Sequence, residues 1–281
     1  MRTLVASVVA IAGLAGCAAV PEEVSDTPSL QPLWVSDGFS APEGVALAPD
    51  GNYFISNVTG EAGAKDGDGF VSKISPSGDL ISKYWAAKLN APKGMAVSDG
   101  VLYVADLTDV VKFDAGSGER LGKVRFGDAK FLNDMTVWNG MVLVSDSGGA
   151  SIYRIDGDSA ALWFQDAARF GGINGLLGDG DRLLVATMET GSLYGLTADK
   201  EFTEIATGME NADGVGLVPD GGYLVSSWPG QIHFVAEDGE VTTLLDTQEA
   251  GTLQNDLTVI GDVVIVPNWT PGTVTAWKVE R

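Results

Sequence analysis

The chain is poor in the residues on which many hydrolytic and metal sites depend. Of its 281 residues one is histidine, His233, and one is cysteine, Cys17. A single thiol excludes a disulfide within the chain. A single imidazole excludes three-histidine zinc sites and His-x-x-x-His motifs. A Ser-His-Asp triad would have to use His233, which sits in the strand-like Gln231-Ile-His-Phe-Val235 and is expected to be structural. Positive charge is scarce too: 17 Lys and Arg stand against 38 Asp and Glu, a formal charge of −21. That balance excludes the basic face that nucleic acid requires. Any bound metal must be held by oxygen, which points to calcium or magnesium.

What the chain does have is a globular composition, 45% hydrophobic and 20% charged, punctuated by 37 Gly and 11 Pro. Such punctuation fits many short strands better than long helices. Residues 1–17 differ from the rest. Arg2 precedes an apolar run from Leu4 to Ala15 that is too short to span a membrane and ends in Leu14-Ala15-Gly16-Cys17. This resembles the lipobox of bacterial lipoproteins, in which the cysteine is acylated and becomes the mature N-terminus. The resemblance implies lipidation at Cys17, a membrane contact through that anchor, and a cell-envelope location. Ala18, where an Asp would favour inner-membrane retention, inclines this towards the periplasmic face of the outer membrane. Residues 18–29 have the composition of a flexible tether, leaving 30–281 as the folded domain.

That domain repeats. Glu43-Gly44-Val-Ala-Leu leads to a turn at Asp50-Gly51 and a second apolar strand ending at Asn57. Lys93-Gly94, Asn133-Asp134, Asn174-Gly175, Asp213-Gly214 and Asn255-Asp256 open equivalent units, at intervals of 50, 40, 41, 39 and 42 residues. Asp-Gly or Asn-Gly between alternating strands is a strong hairpin signal, because both turn positions favour positive φ. Third and fourth strands follow in most units, and four short strands per repeat of about forty residues is the propeller pattern. The longer first interval fits a Gly-rich loop over residues 59–68. The sixth unit has three strands, ending in Thr273-Val-Thr-Ala-Trp-Lys-Val-Glu280, while Leu30-Gln-Pro-Leu-Trp-Val-Ser36 is a strand without a unit. Pairing the two predicts an all-β, six-bladed propeller whose last blade is closed by the N-terminal strand, leaving no open edge.

In a propeller the innermost strands all start beside the central channel, so the six leading residues are expected to converge. Taken singly, an Asn or Asp before Gly is a turn former. Turn chemistry does not account for Glu43, and apolar packing does not place carboxylates and amides around an axis. Two carboxylates with amide oxygens form an all-oxygen cage suited to Ca²⁺.

These same residues resemble the senescence marker protein/gluconolactonase/luciferin-regenerating superfamily, to which paraoxonases and diisopropyl fluorophosphatase are related. The resemblance runs from Leu30 to the C-terminus and rests on Pro42-Glu43-Gly44, Asn133-Asp134, Asn174-Gly175-Leu176 and Asp213-Gly214. It implies one catalytic Ca²⁺ in the channel, held by Glu43, Asn133, Asn174 and Asp213. It further implies a calcium-dependent hydrolase of lactones or related esters, with Asp213 as general base or nucleophile and ionised beside the ion. Lys93 departs from the pattern: it either serves an anionic group or a proton, or snorkels outward. Asn255 is a further candidate, as ligand through water or as orienter of Asp256. Loops after the second strands, with Asn57, Asp106, Asp146, Thr187, Trp228 and Asn268-Trp269, are expected to shape the substrate pocket. The chain is expected to act as a monomer on a small molecule. The alternative is a non-catalytic propeller that binds or scaffolds an envelope partner or small ligand; a strictosidine synthase-like role fits the metal set less well.

Overall fold

A computed structural model of the chain describes residues 27–281. The signal segment, Cys17 and most of the tether lie outside the described residues. The described chain is built of strands alone. It forms six antiparallel sheets arranged as a six-bladed β-propeller.

Strand β1 (Ser29–Ser36) stands apart from its neighbours in sequence. Blade one is β2 (Pro42–Leu47), β3 (Tyr53–Asn57), β4 (Gly69–Ile74) and β5 (Leu80–Leu89). Blade two is β6 (Pro92–Ser98), β7 (Val101–Asp106), β8 (Asp109–Asp114) and β9 (Arg120–Arg125). Blade three is β10 (Leu132–Trp138), β11 (Met141–Asp146), β12 (Ser151–Asp156) and β13 (Ser159–Gln165). Blade four is β14 (Ile173–Asp179), β15 (Arg182–Thr187), β16 (Ser192–Thr197) and β17 (Phe202–Ala206). Blade five is β18 (Ala212–Leu217), β19 (Tyr223–Ser227), β20 (Gln231–Val235) and β21 (Val241–Asp246). Blade six has its inner strand in two pieces, β22 (Leu253–Gln254) and β23 (Thr258–Ile260), followed by β24 (Val263–Thr270) and β25 (Thr273–Glu280). Its outer strand is β1, which pairs with β25 from Ser29 opposite Glu280 to Ser36 opposite Val274. The orphan strand near the N-terminus thus completes the last blade.

The core is six wedges, one between each pair of neighbouring blades. Phe54, Leu89, Leu102 and Phe113 lie between blades one and two. Ile55 and Ile74 of blade one meet Ile265, Val274 and Ala276 of blade six. Polar contacts stitch that same seam: Thr258 Oγ1 donates to the Val45 carbonyl at 2.9 Å, and Trp34 Nε1 to the Pro76 carbonyl at 3.0 Å.

The hairpin turns differ in type. Both central residues have positive φ at Asp99-Gly100 (50° and 77°) and Asn139-Gly140 (50° and 72°), as the dipeptide signal implies. At Asp50-Gly51 only the glycine does, and the turn is wider, closed by the Ala48 N–H on the Asn52 carbonyl at 2.8 Å.

Every inner strand carries one residue too many where it begins. Pro42 pairs with Asn57 and Val45 with Ile55, so Glu43 and Gly44 together oppose Ser56. The same two-against-one bulge sets Lys93-Gly94 against Ala105, Asn133-Asp134 against Ser145, Asn174-Gly175 against Ala186 and Asp213-Gly214 against Ser226. In blades one, three and five the serine hydroxyl accepts the bulge N–H, from Gly44, Asp134 and Gly214, at 2.8 Å each. In blade six residues 255–257 face only 266–267, where Pro267 has no N–H to give the ladder. A bulge interrupts the pleat and re-aims side chains. Here it turns the leading residue of each blade to the axis.

The second bulge position is crowded. A Cβ on Gly94 would lie 2.5 Å from the Asp134 Cα. We expect Gly94→Ala to destabilise the fold by about 1–3 kcal/mol through overpacking against backbone. Gly127→Ala, where a Cβ meets nothing within 4 Å, should change stability by less than about 0.5 kcal/mol. Urea denaturation of the two variants checks the difference, and equal midpoints would contradict the packing described.

Candidate functional site

The six bulges bring Glu43, Lys93, Asn133, Asn174, Asp213 and Asn255 to one place. All six are buried, and all line a single cavity of about 370 Å³ at the start of the inner strands. Its upper wall is apolar: Trp228 and Trp269 meet edge to face with ring centroids 6.2 Å apart, and Phe131 and Met188 also line it. Glu61 and Ala62, from the long loop between β3 and β4, complete the mouth.

The carboxylates here are held out of water with little compensation. Glu43 Oε2 and Asp213 Oδ1 are buried and accept no hydrogen bond. Burial, opposed by Lys93 and reinforced by Asp213 and Asp134, pushes the Glu43 carboxyl up to about 8. Burial, with the Asp134 charge, raises Asp213 to about 7, against the pull of Lys93. The expectation of an ionised Asp213 therefore requires a cation beside it. Lys93 does not snorkel outward. It is 3% exposed, and its Nζ lies 5.0 Å from the Phe131 ring centre.

The amides are less committed than the acids are buried. Asn174 Nδ2 donates weakly to Met188 Sδ at 3.5 Å, which leaves its oxygen free. Among the described residues no three His, Cys, Asp or Glu side chains are arranged to hold a metal. A cation in the ring would therefore depend on the amide oxygens of Asn133 and Asn174 as well as on Glu43 and Asp213. Two unpartnered buried carboxylate oxygens with amide oxygens beside them fit a hard divalent cation such as Ca²⁺.

One row below lie the second bulge residues: Gly44, Gly94, Gly175 and Gly214 in four blades, but Asp134 and Asp256 in blades three and six. Asp134 ties blade three to blade four by accepting the Leu176 N–H at 2.6 Å, and its other oxygen accepts the Met135 N–H at 2.7 Å. Asp256 accepts the Leu257 N–H at 2.6 Å and no hydrogen bond from Asn255. Burial raises both carboxyls, Asp134 to about 7.

Of the expected pocket residues, Trp228, Asn255 and Trp269 line the cavity. Asn57, Asp106 and Asp146 do not, nor do Thr187 and Asn268. Thr187 and Asn268 bond within the β15–β16 and β24–β25 hairpins, to the Ser192 carbonyl and Thr273 Oγ1, while the three others hold the interblade loops. Asp106 accepts the backbone N–H groups of Asn90 and Ala91 at 2.9 Å, and Asp146 that of Phe131 at 2.7 Å. Asn57 accepts the Ser40 N–H at 3.0 Å and donates to Ser72 Oγ at 3.1 Å. Side chains alternate along a strand, so an error of one position exchanges faces. Ser147 donates to the Ile173 carbonyl, but the other residues that follow the second strands are apolar: Met188, Trp228 and Trp269 line the cavity, and Val58 and Leu107 pack with Trp269 and Phe131 beside it. Their apolar character was the available signal. His233 lies elsewhere, buried in β20, with Nδ1 3.0 Å from Thr243 Oγ1.

The family described as outer membrane protein assembly factor BamB (PQQ_2) matches residues 67–280. The chain belongs to that family. No curated protein matches it in sequence. Among solved structures it is similar to a virginiamycin B lyase from Staphylococcus aureus, with a TM-score of 0.63 at 12% identity over 90% of this chain and 99% of that one. It is similar to a streptogramin B lyase (TM-score 0.64, 12% identity, 90% and 98% covered). A Bacteroides thetaiotaomicron protein of unknown function is also similar (TM-score 0.63, 14% identity, 89% and 73% covered). At such identities the likeness establishes the propeller fold and nothing finer.

A prediction follows from the unpartnered acids. In chelator, the folded protein binds more protons than the unfolded chain between the ordinary carboxylate value and about 8. The stability that Glu43 and Asp213 contribute is therefore present in acid and lost as pH rises through that window. The chelated protein should unfold at lower urea at pH 8.5 than at pH 5.5, and calcium at pH 8.5 should restore the midpoint. Glu43→Gln with Asp213→Asn should reduce the slope to the part that Asp134 and Asp256 contribute and abolish the calcium response. A midpoint independent of both pH and calcium would refute this account of the ring.

Proposed function

We propose that the chain is a calcium-dependent hydrolase of lactones or related esters, carried on a cell-envelope lipoprotein. The observation that supports it is the convergence of Glu43, Asn133, Asn174 and Asp213, from four different blades, on one buried cavity with two carboxylate oxygens unpartnered. The order Glu, Asn, Asn, Asp along the chain is that of the superfamily it resembles. When bound there, calcium supplies Lewis acidity towards a carbonyl or phosphoryl oxygen.

The chain's own residues supply the rest. Asp213 accepts the proton of the attacking water, or attacks the acyl carbon directly. Asn133 and Asn174 orient without changing charge. Trp228, Trp269, Phe131 and Met188 give an apolar wall that takes the carbon skeleton and excludes water. Lys93, held over Phe131, places a positive charge at the same mouth for an anionic substrate group or the departing carboxylate. The lipobox-like Leu14-Ala15-Gly16-Cys17 and the kinship with an outer-membrane assembly factor support the envelope location.

The same kinship favours a second reading, a propeller that grips an envelope protein without catalysis. Turnover decides between them. A panel of lactones and aryl esters should be hydrolysed with calcium and not with chelator. Asp213→Asn should lower kcat by about 10²–10⁴-fold, and Trp228→Ala should raise KM more than it lowers kcat. A calcium-loaded, folded protein that hydrolyses nothing on the panel would transfer the case to the binding reading.

A further inference from the structure

The opposite end of the channel holds a second and larger cavity, of about 640 Å³, which shares no lining residue with the first. Its walls come from the inner strands beyond the bulges, where Val45, Met95, Leu176, Val215 and Leu257 supply hydrocarbon. Leu47 and Val137 stand at its rim, 45% and 37% exposed, among the few large apolar side chains left in water. The cavity volume is that of a small-molecule pocket rather than a packing defect.

Two charged groups line this hydrocarbon space: Asp134 and Asp256. They occupy the second bulge position in blades three and six, which face each other across the axis of a six-membered wheel. The neighbouring blades make room for them with glycine. A Cβ on Gly94 would meet Asp134 Oδ1 at 2.5 Å, and one on Gly214 would collide with Asp256 Oδ1. Asp134 is engaged through both oxygens by backbone N–H groups. Asp256 is not: it is 8% exposed, its Oδ1 accepts the Leu257 N–H, and its Oδ2 has no hydrogen-bond donor. Neither forms an ion pair, although the described residues contain seven. A carboxylate about nine-tenths buried, with one oxygen open to a donor and no ion-pair partner, is completed by a proton or by a cation from outside.

We propose that this lower cavity binds an organic cation with an apolar body, an alkyl- or arylalkyl-ammonium, whose positive head pairs with Asp256 and lies towards Asp134. The wall composition favours an organic over a metal cation. Calcium takes six to eight oxygens, whereas the side-chain oxygens at this cavity are those of the two carboxylates and the hydroxyls of Thr136 and Thr258. Thr258 is already spent on the Val45 carbonyl. An ammonium needs few acceptors, and its hydrocarbon tail gains from every apolar wall. The proposal does not depend on the chemistry of the upper ring.

Calorimetric titration of the folded chain with 4-phenylbutylamine, 4-phenylbutanol and 4-phenylbutyrate tests it, with and without saturating calcium. The amine should bind at least about tenfold more tightly than the alcohol or the acid, a margin typical of one charge-assisted contact. Calcium, held by Glu43 and Asp213 whose charges reach Asp256, should not compete for the cavity, so the amine should still saturate it at the same stoichiometry. Asp256→Asn should weaken amine binding by about tenfold or more. Val137→Trp, which plugs the rim without touching either carboxylate row, should do the same and covers the case in which Asp256→Asn does not fold. The proposal is overturned if the amine does not bind. Equal binding of the alcohol, displacement of the amine by calcium, or wild-type affinity in Val137→Trp would overturn it as well.

Discussion

The extra residue at the head of each inner strand is the constraint on which the site depends. A regular strand would send successive side chains alternately into the two interblade wedges, and nothing polar would reach the axis. With two residues set against one, the pleat is broken at the same height in every blade. The first bulge residue is released towards the channel, and the second is pressed against the neighbouring blade. The residue opposite must be small, and it is serine or alanine in five blades. Where it is serine, its hydroxyl satisfies the N–H that the interrupted ladder leaves behind.

That arrangement produces two polar rows with different duties. The upper row is varied in charge and amide character and faces a mouth lined by aromatic rings. The lower row is glycine except for two aspartates, of which Asp134 is tied to the next blade by the Leu176 N–H. Both rows sit inside a closed ring whose wedges are packed with Phe, Leu, Ile and Val. Because the wedges fix the blades, the polar groups cannot move apart to relieve their mutual repulsion. Desolvation therefore raises the proton affinity of Glu43, Asp134, Asp213 and Asp256, and like charge adds to it at Glu43, Asp213 and Asp256.

The period of the leading residues was legible in the sequence because each unit repeats the same local conflict, a polar residue heading an apolar strand. Closure by Leu30–Ser36 was legible because the sixth unit is one strand short. The loop residues were less so. Asn57, Asp106 and Asp146 carry the chemistry a binding site would want, yet strand alternation spends them on interblade caps. Of the residues that follow the second strands, Met188, Trp228 and Trp269 line the mouth, Val58 and Leu107 pack beside it, and Ser147 donates to the Ile173 carbonyl. Phe131 and Glu61 escaped for another reason: one lies ahead of its inner strand and the other in a loop without periodicity, so no repeat position marks them. The division of Asp134 and Asp256 from the upper row depends on the bulge itself, which alternation alone does not disclose.

The seam between β1 and β25 joins residues at opposite extremes of the described chain, Ser29 to Glu280. Every other blade is assembled from a continuous stretch and can zip from its own hairpins. The sixth must wait for both extremes to meet, so the largest chain-entropy cost falls on one contact. As the chain is made, five blades can mature in order while β1 remains without its partner. Until Thr273–Glu280 emerges, β1 has no partner strand and the ring of blades stays open at that edge.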